Sequence, residues 1–218
     1  MLDVYNSDFW KGINPGSTIT LKDKQAIEDS MEKGNGMAGI DYIVKTAYRL
    51  KEINDLAQWY LFLLDDPEEQ IWVMVKIVEQ ETDFRVYFEH PQFEPGNRED
   101  MIEQEKLWLF MEPDNPVDFQ YNDLIFTDQI EIEDDNNQML SYKQKGAKEL
   151  HCKCDIMPAQ SGINNPIVTI VEYKAIEACE NPELLLFELG GEENSKGGLI
   201  RLMLGCNLRP TELDILEA

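Results

Sequence analysis

Positive charge is what this chain has least of. Nineteen Lys and Arg stand against 43 Asp and Glu, a formal net charge of −24 on 218 residues. Such a surface repels phosphate backbones and anionic headgroups at long range. Nucleic acid and bare anionic membranes are therefore disfavoured as partners, and a protein with a basic face, a cation or a polyamine is favoured. Histidine is almost as scarce: His90 and His151 are the two in the chain, so the side chain that most general acid–base catalysis uses is nearly missing. Cysteine is limited to Cys152, Cys154, Cys179 and Cys206, with no C-x-x-C pair. In a reducing compartment these are expected to stay as thiols packed like small hydrophobes. No apolar run approaches the roughly 18 residues that span a bilayer as a helix. Met1-Leu2-Asp3-Val4-Tyr5 has neither the basic nor the apolar region of a secretory signal, so the cytosol is the expected compartment and direct membrane insertion is not expected.

Several chemistries lack their signatures. Gly34-Asn35-Gly36-Met37-Ala38-Gly39 nearly spells a dinucleotide fingerprint, but it follows a charged helical stretch and precedes a strand, the reverse of the required order. No serine sits in a G-x-S-x-G elbow. Asp134 to Asn137 lacks the glycine and distal Glu of a calcium loop. His151-Cys152-Lys153-Cys154 would place two thiols on one strand face, yet tetrahedral zinc needs a second ligand pair that the sequence does not supply. Glu131 and Glu133 could flank a glycosidic bond, but among 43 carboxylates such pairs arise everywhere and read as a solvated strand face. The expectation is no cofactor, no metal and no catalytic residue.

What is present is enough apolar material for a core: 43% of residues are hydrophobic, which separates the chain from a disordered acidic tail. Ala26, Ile27 and Met31 fall near helical spacing in a helix over 23–32 that stops at Gly34-Asn35-Gly36. From Tyr42 the texture becomes that of strands: 42–48, 59–64, 71–78 and 84–88 are rich in β-branched and aromatic residues. Asp65-Asp66-Pro67-Glu68-Glu69 reads as a hairpin turn. Prolines mark connections over 91–105 and 113–118, with a short element over 101–111 between them. Ile130-Glu131-Ile132-Glu133 alternates as a half-solvated strand, 158–166 is a loop, and a last helical turn begins at Thr211 with Asp214 in a capping-box position.

The chain also matches itself. Laying 41–68 over 166–193 without gaps pairs Tyr48 with Tyr173, Glu52 with Glu177, Leu61 with Leu186, Phe62 with Phe187, Leu64 with Leu189 and Glu68 with Glu193. Either the chain is an internal duplication, or two ordinary hairpins with acidic turns look alike. The unit Tyr48-Arg49, Trp59-Tyr60-Leu61-Phe62-Leu63-Leu64, Gln70-Ile71-Trp72-Val73 resembles a bacterial domain of unknown function found singly or in tandem. The resemblance covers residues 40–80 and, more faintly, 166–205. Tyr60 stands where that family usually has Glu, and no Trp recurs in the second copy. The resemblance implies an accessory role and assigns no catalytic residue.

The expected fold is α+β, mainly antiparallel, with two related β-rich halves, 1–111 and 112–218, and a few short helices. The expected function is a non-enzymatic protein-interaction or accessory factor. A nucleic-acid mimic that occupies a DNA-binding protein and a hydrolase with hidden catalytic carboxylates are the alternatives. The candidate partner surface comprises the acidic turns, Asp65, Asp66, Glu68 and Glu69 with Glu192 and Glu193, and the pair Trp72 and Met74. These two share a strand face and belong to types enriched in interface cores, although packing inside the protein explains them as well. Protein purified without chelators is expected to carry no stoichiometric transition metal by elemental analysis. One zinc per chain, lost on Cys152→Ser or Cys154→Ser, would contradict this.

Overall fold

The computed structural model describes residues 6–22, 39–53, 57–67, 69–79, 81–89, 129–133, 139–145, 150–159, 166–179, 181–191 and 199–216. Among them are twelve strands, one α-helix of six residues and one 3-10 turn. The α+β expectation is therefore corrected to an almost entirely antiparallel β protein. The helix expected over 23–32 and the element over 101–111 lie outside the described residues. Chain contacts divide the protein into two compact units, Met1–Phe88 with Lys153–Gly162 and Asn207–Ala218, and Glu89–Cys152 with Ile163–Cys206.

The first unit is built on strands β1 (Thr18–Leu21), β2 (Ile40–Glu52), β3 (Ala57–Asp65), β4 (Ile71–Val78) and β5 (Glu81–Glu89), with β12 (Leu213–Leu216) at the edge beside β1. Neighbours pair antiparallel in the order β12-β1-β2-β3-β4-β5. The four long strands coincide with the β-branched and aromatic runs of the sequence, and each turn falls where charge or proline interrupts them. Glu79, at the β4–β5 turn, has φ 54, the left-handed conformation that tight hairpins demand. At the entry to β2, a Cβ on Gly39 would lie 2.6 Å from Thr20 Cγ2 and 3.0 Å from Leu21 O, so glycine permits the close approach of β1.

Alternation sorts the side chains of β2–β5 onto two faces. One face carries Tyr48, Leu50, Trp59, Leu61, Leu63, Trp72, Met74, Arg85 and Tyr87, and the other Ala47, Tyr60, Phe62, Leu64, Val73, Val75, Phe84 and Val86. All of these residues are buried. The second face is covered by α1 (Ser7–Gly12), a helix too short to persist alone. Asn6 caps it by accepting from Asp8 N at 2.9 Å. Its Trp10, fully buried, packs against Phe62 and Phe84 with ring centroids at 6.1 and 5.7 Å. Arg49 Nη2 on β2 donates to Lys11 O at 2.6 Å and to Asn14 Oδ1 at 2.8 Å, which satisfies acceptors at the helix C-terminus.

The C-terminal segment also differs from expectation. The turn is a 3-10 turn over Pro210–Glu212, closed by Glu212 Oε2 accepting from Arg209 N at 2.7 Å. Asp214 caps nothing: it lies in β12, paired to Thr20 of β1, and binds Lys22 at 2.6 Å. Pairing with β1 wins because it buries Leu213 and Ile215 beside Ile19.

The second unit orders β11 (Leu199–Asn207), β10 (Glu183–Gly191), β9 (Pro166–Ala175), β7 (Met139–Gln144) and β6 (Gln129–Glu133), again antiparallel. Tyr142, Val171, Tyr173, Leu184, Leu186, Ile200 and Leu202 form its core cluster. Strand β8 (Leu150–Met157) begins in this unit and ends in the first, where it pairs β2.

The two segments matched in the sequence both run strand, turn, strand, but their registers differ. Tyr48 faces Leu61, whereas Tyr173 faces Leu184 and not the Leu186 that the alignment sets opposite it. A shift of two residues keeps each side chain on its face, so the hydrophobic pattern survives the change of register. Among the described residues no helix is long and apolar enough to cross a membrane.

Trp10→Ala is expected to lower stability by about 3 to 5 kcal/mol, the usual range for deleting a buried large aromatic. Urea denaturation followed by circular dichroism measures it, and a loss under about 1 kcal/mol would show that α1 contributes little to the fold.

Candidate functional site

The β3–β4 turn places Asp65 and Glu69 in solvent with Asp66 half-buried between them. Asp66 Oδ1 accepts from Glu69 N at 2.9 Å, which fixes the turn. Lys45 Nζ approaches Asp65 Oδ1 only to 3.7 Å with both side chains mostly exposed, so the charge of Asp65 is weakly compensated. Tyr42 lies on β2 next to this turn. Burial, then the charges of Asp66 and Glu69, raise its phenol above the usual value. Glu68, Glu192 and Glu193 lie outside the described residues.

Trp72 and Met74 are fully buried and form no surface patch. Across the strands Trp72 faces Leu63 and Tyr87, and Met74 faces Leu61 and Arg85. The Tyr48 and Trp72 rings lie 5.4 Å apart. On the same face Arg85 is bound by Asp83 and donates to Tyr87 Oη at 3.3 Å, and Lys76 Nζ sits 5.4 Å above the Trp59 ring. A surface partner therefore cannot reach this pair; aromatic packing and a clamped guanidinium hold the face together.

The outer face of the β12-β1-β2 edge was not singled out in the sequence. Register aligns Leu216, Thr18 and Ile43 across three strands, with Asp65 of β3 opposite Ile43, and aligns Asp214, Thr20 and Asp41 in the next row. Leu216 is 68% and Ile43 47% exposed. Thr20 Oγ1 donates to Asp41 Oδ1 at 2.6 Å and holds that carboxylate against the sheet. A local signal existed: Asp41, Ile43 and Lys45 alternate with Tyr42 and Val44, which sets an isoleucine between charges. The contribution of Leu216 depends on pairing across the length of the chain and had none.

In the second unit His151 Nδ1 lies 3.1 Å from Thr169 Oγ1, and Thr169 faces Glu188 across the sheet. His151 is exposed at the start of β8, while Thr169 and Glu188 are buried within strands. A buried mid-strand hydroxyl has no approach for a substrate carbonyl, so the contact positions β8 and makes no nucleophile. Lys145 binds Glu183, and Arg201 binds Glu89 at 2.6 Å. Cys152 is buried and Cys154 half-buried on one face of β8, with His151 and Lys153 on the other. Among the described residues no three His, Cys, Asp or Glu side chains are grouped to hold a metal ion. No family model, curated protein or solved structure matches this chain.

Tyr42 provides a check on the turn. A phenol whose folded pKa is raised resists ionisation, so stability is intact below the unfolded value near 10 and falls as pH climbs from there through the folded value. The phenolate absorbance lost in Tyr42→Phe should belong to a group titrating above 10. Asp66→Asn with Glu69→Gln should move that titration down in part, because burial, the larger cause, remains. No movement would place the two carboxylates away from the ring.

Proposed function

We propose that the chain is a non-catalytic binding protein, an accessory factor of the cytosol that takes a basic protein partner on its acidic surface. The observation that carries this is the net charge of −24, part of it held by exposed carboxylates on β2 and in the β3–β4 turn. Lys22 and Arg85 are 9% and 7% exposed and bound to carboxylates, while Arg49 is drawn onto the end of α1. Asp41, Asp65 and Glu69 stand in solvent. Exposed cations are present too, Lys11, Lys45 and Lys51 among them, so the field rests on the net charge of the chain and not on a sorting of cations inward.

Such a field accelerates encounter with a cationic surface and discriminates against anionic ones. It is screened over about 8 Å at physiological salt, so its mark is an association rate that falls as salt rises. Asp65→Asn, Asp66→Asn and Glu69→Gln combined should slow association with a basic partner roughly threefold to tenfold at low ionic strength and alter dissociation little. Stopped-flow mixing at two salt concentrations reads this. An association rate indifferent to both salt and these changes would reduce the charge to a solubility device.

A further inference from the structure

Exposed large apolar side chains are few among the described residues: Ile40, Ile43, Ile53, Ile176 and Leu216. Single exposed apolar residues need no explanation. Two in one cross-strand row are different, because one partner segment can cover both. Leu216 and Ile43 are separated only by Thr18 of β1, which sets their Cα atoms roughly 10 Å apart at two strand spacings. Carboxylates flank them on the same face, with Asp65 beside Ile43 in its row and Asp41 one step along β2; Lys45 reaches Asp65 only at 3.7 Å and leaves it mostly exposed.

We infer that the outer face of β12, β1 and β2 is the docking site for a basic, amphipathic protein segment, with its apolar side chains on Ile43 and Leu216 and its ammonium or guanidinium groups on Asp41 and Asp65. The inference rests on the basic-partner function proposed above and adds where the partner sits and what it must carry besides charge. Charge complementarity selects this occupant. A second copy of the chain would bring a like-signed surface of net −24 against these acids, and a nucleic acid would bring phosphates. Asp214, tied to Lys22 at 2.6 Å, keeps β12 in place, and Thr20 keeps Asp41 from folding away. Thr18, between the two apolar residues, is small enough to let one segment span both.

The test uses the full chain and two labelled 14-residue peptides of equal charge, one of lysine and leucine in amphipathic order, the other with serine in place of leucine. By fluorescence anisotropy at low salt, the leucine peptide should bind at least fivefold more tightly than the serine peptide. Ile43→Thr with Leu216→Thr, substitutions that strands accept at exposed positions, should bring the ratio below twofold. Ile40→Thr and Ile176→Thr, at exposed apolar positions elsewhere, should leave it unchanged. Two results would overturn the docking face while leaving the electrostatic function standing: equal binding of both peptides to the wild type, or a preference for leucine that survives the double substitution. Equal loss from Ile40→Thr would do the same. Failure of either peptide to bind at low salt would remove the basic-partner function itself.

Discussion

Cations drawn wholly or partly out of water and clamped to carboxylates and carbonyls are the constraint on which the rest of this structure depends. Strands β3 and β4 are buried on both faces, so a charge can enter their neighbourhood only with a partner. Arg85 meets that condition through Asp83 and Tyr87, and Arg49 through the last carbonyls of α1. In the second unit Lys145 with Glu183 and Arg201 with Glu89 do the same. Removing Asp83 would leave the Arg85 guanidinium, 7% exposed, desolvated without its carboxylate, which costs several kcal/mol.

A chain of net −24 folds because its charge and its apolar core are kept largely apart. Self-repulsion grows with the square of net charge if the charges are crowded, yet carboxylates such as Asp65 and Glu69 in the β3–β4 turn stand in water, where the effective dielectric is high and salt screens them. The apolar strands between the turns supply the stabilisation. Turns and core divide the work because the charges of the β3–β4 connection interrupt two strands that are apolar on both faces.

The sequence revealed the strands better than their neighbours. Runs such as Trp59 to Leu64 and Ile71 to Val78 announced themselves by β-branched and aromatic content, and Asp65-Asp66-Pro67 announced the turn. The helix α1 escaped notice because Ser7 to Gly12 has no helical stripe; tertiary packing of Trp10 and the reach of Arg49 across the chain make it. Thr211 and Asp214 misled for the same reason: capping pattern is local, whereas β12 is decided by β1, nearly two hundred residues away. Trp72 and Met74 were compatible with a surface or a core by residue type alone. Only cross-strand contacts with Tyr48, Leu63, Tyr87 and Arg85 decide between them. The apparent duplication shows how a hydrophobic period can agree while register does not, since a shift of two is invisible to alternation.

Charge and apolar contact play separable parts on the exposed edge. Long-range attraction acts before contact and sets how often a basic segment arrives, but in water at physiological salt it contributes little once the groups are side by side. Residence time depends instead on surface removed from water, and here Ile43 and Leu216 are the side chains positioned to provide it. An acidic surface without them would meet every basic protein briefly and hold none. The pair of apolar residues within the acidic field is what can turn a nonspecific attraction into recognition of one amphipathic segment.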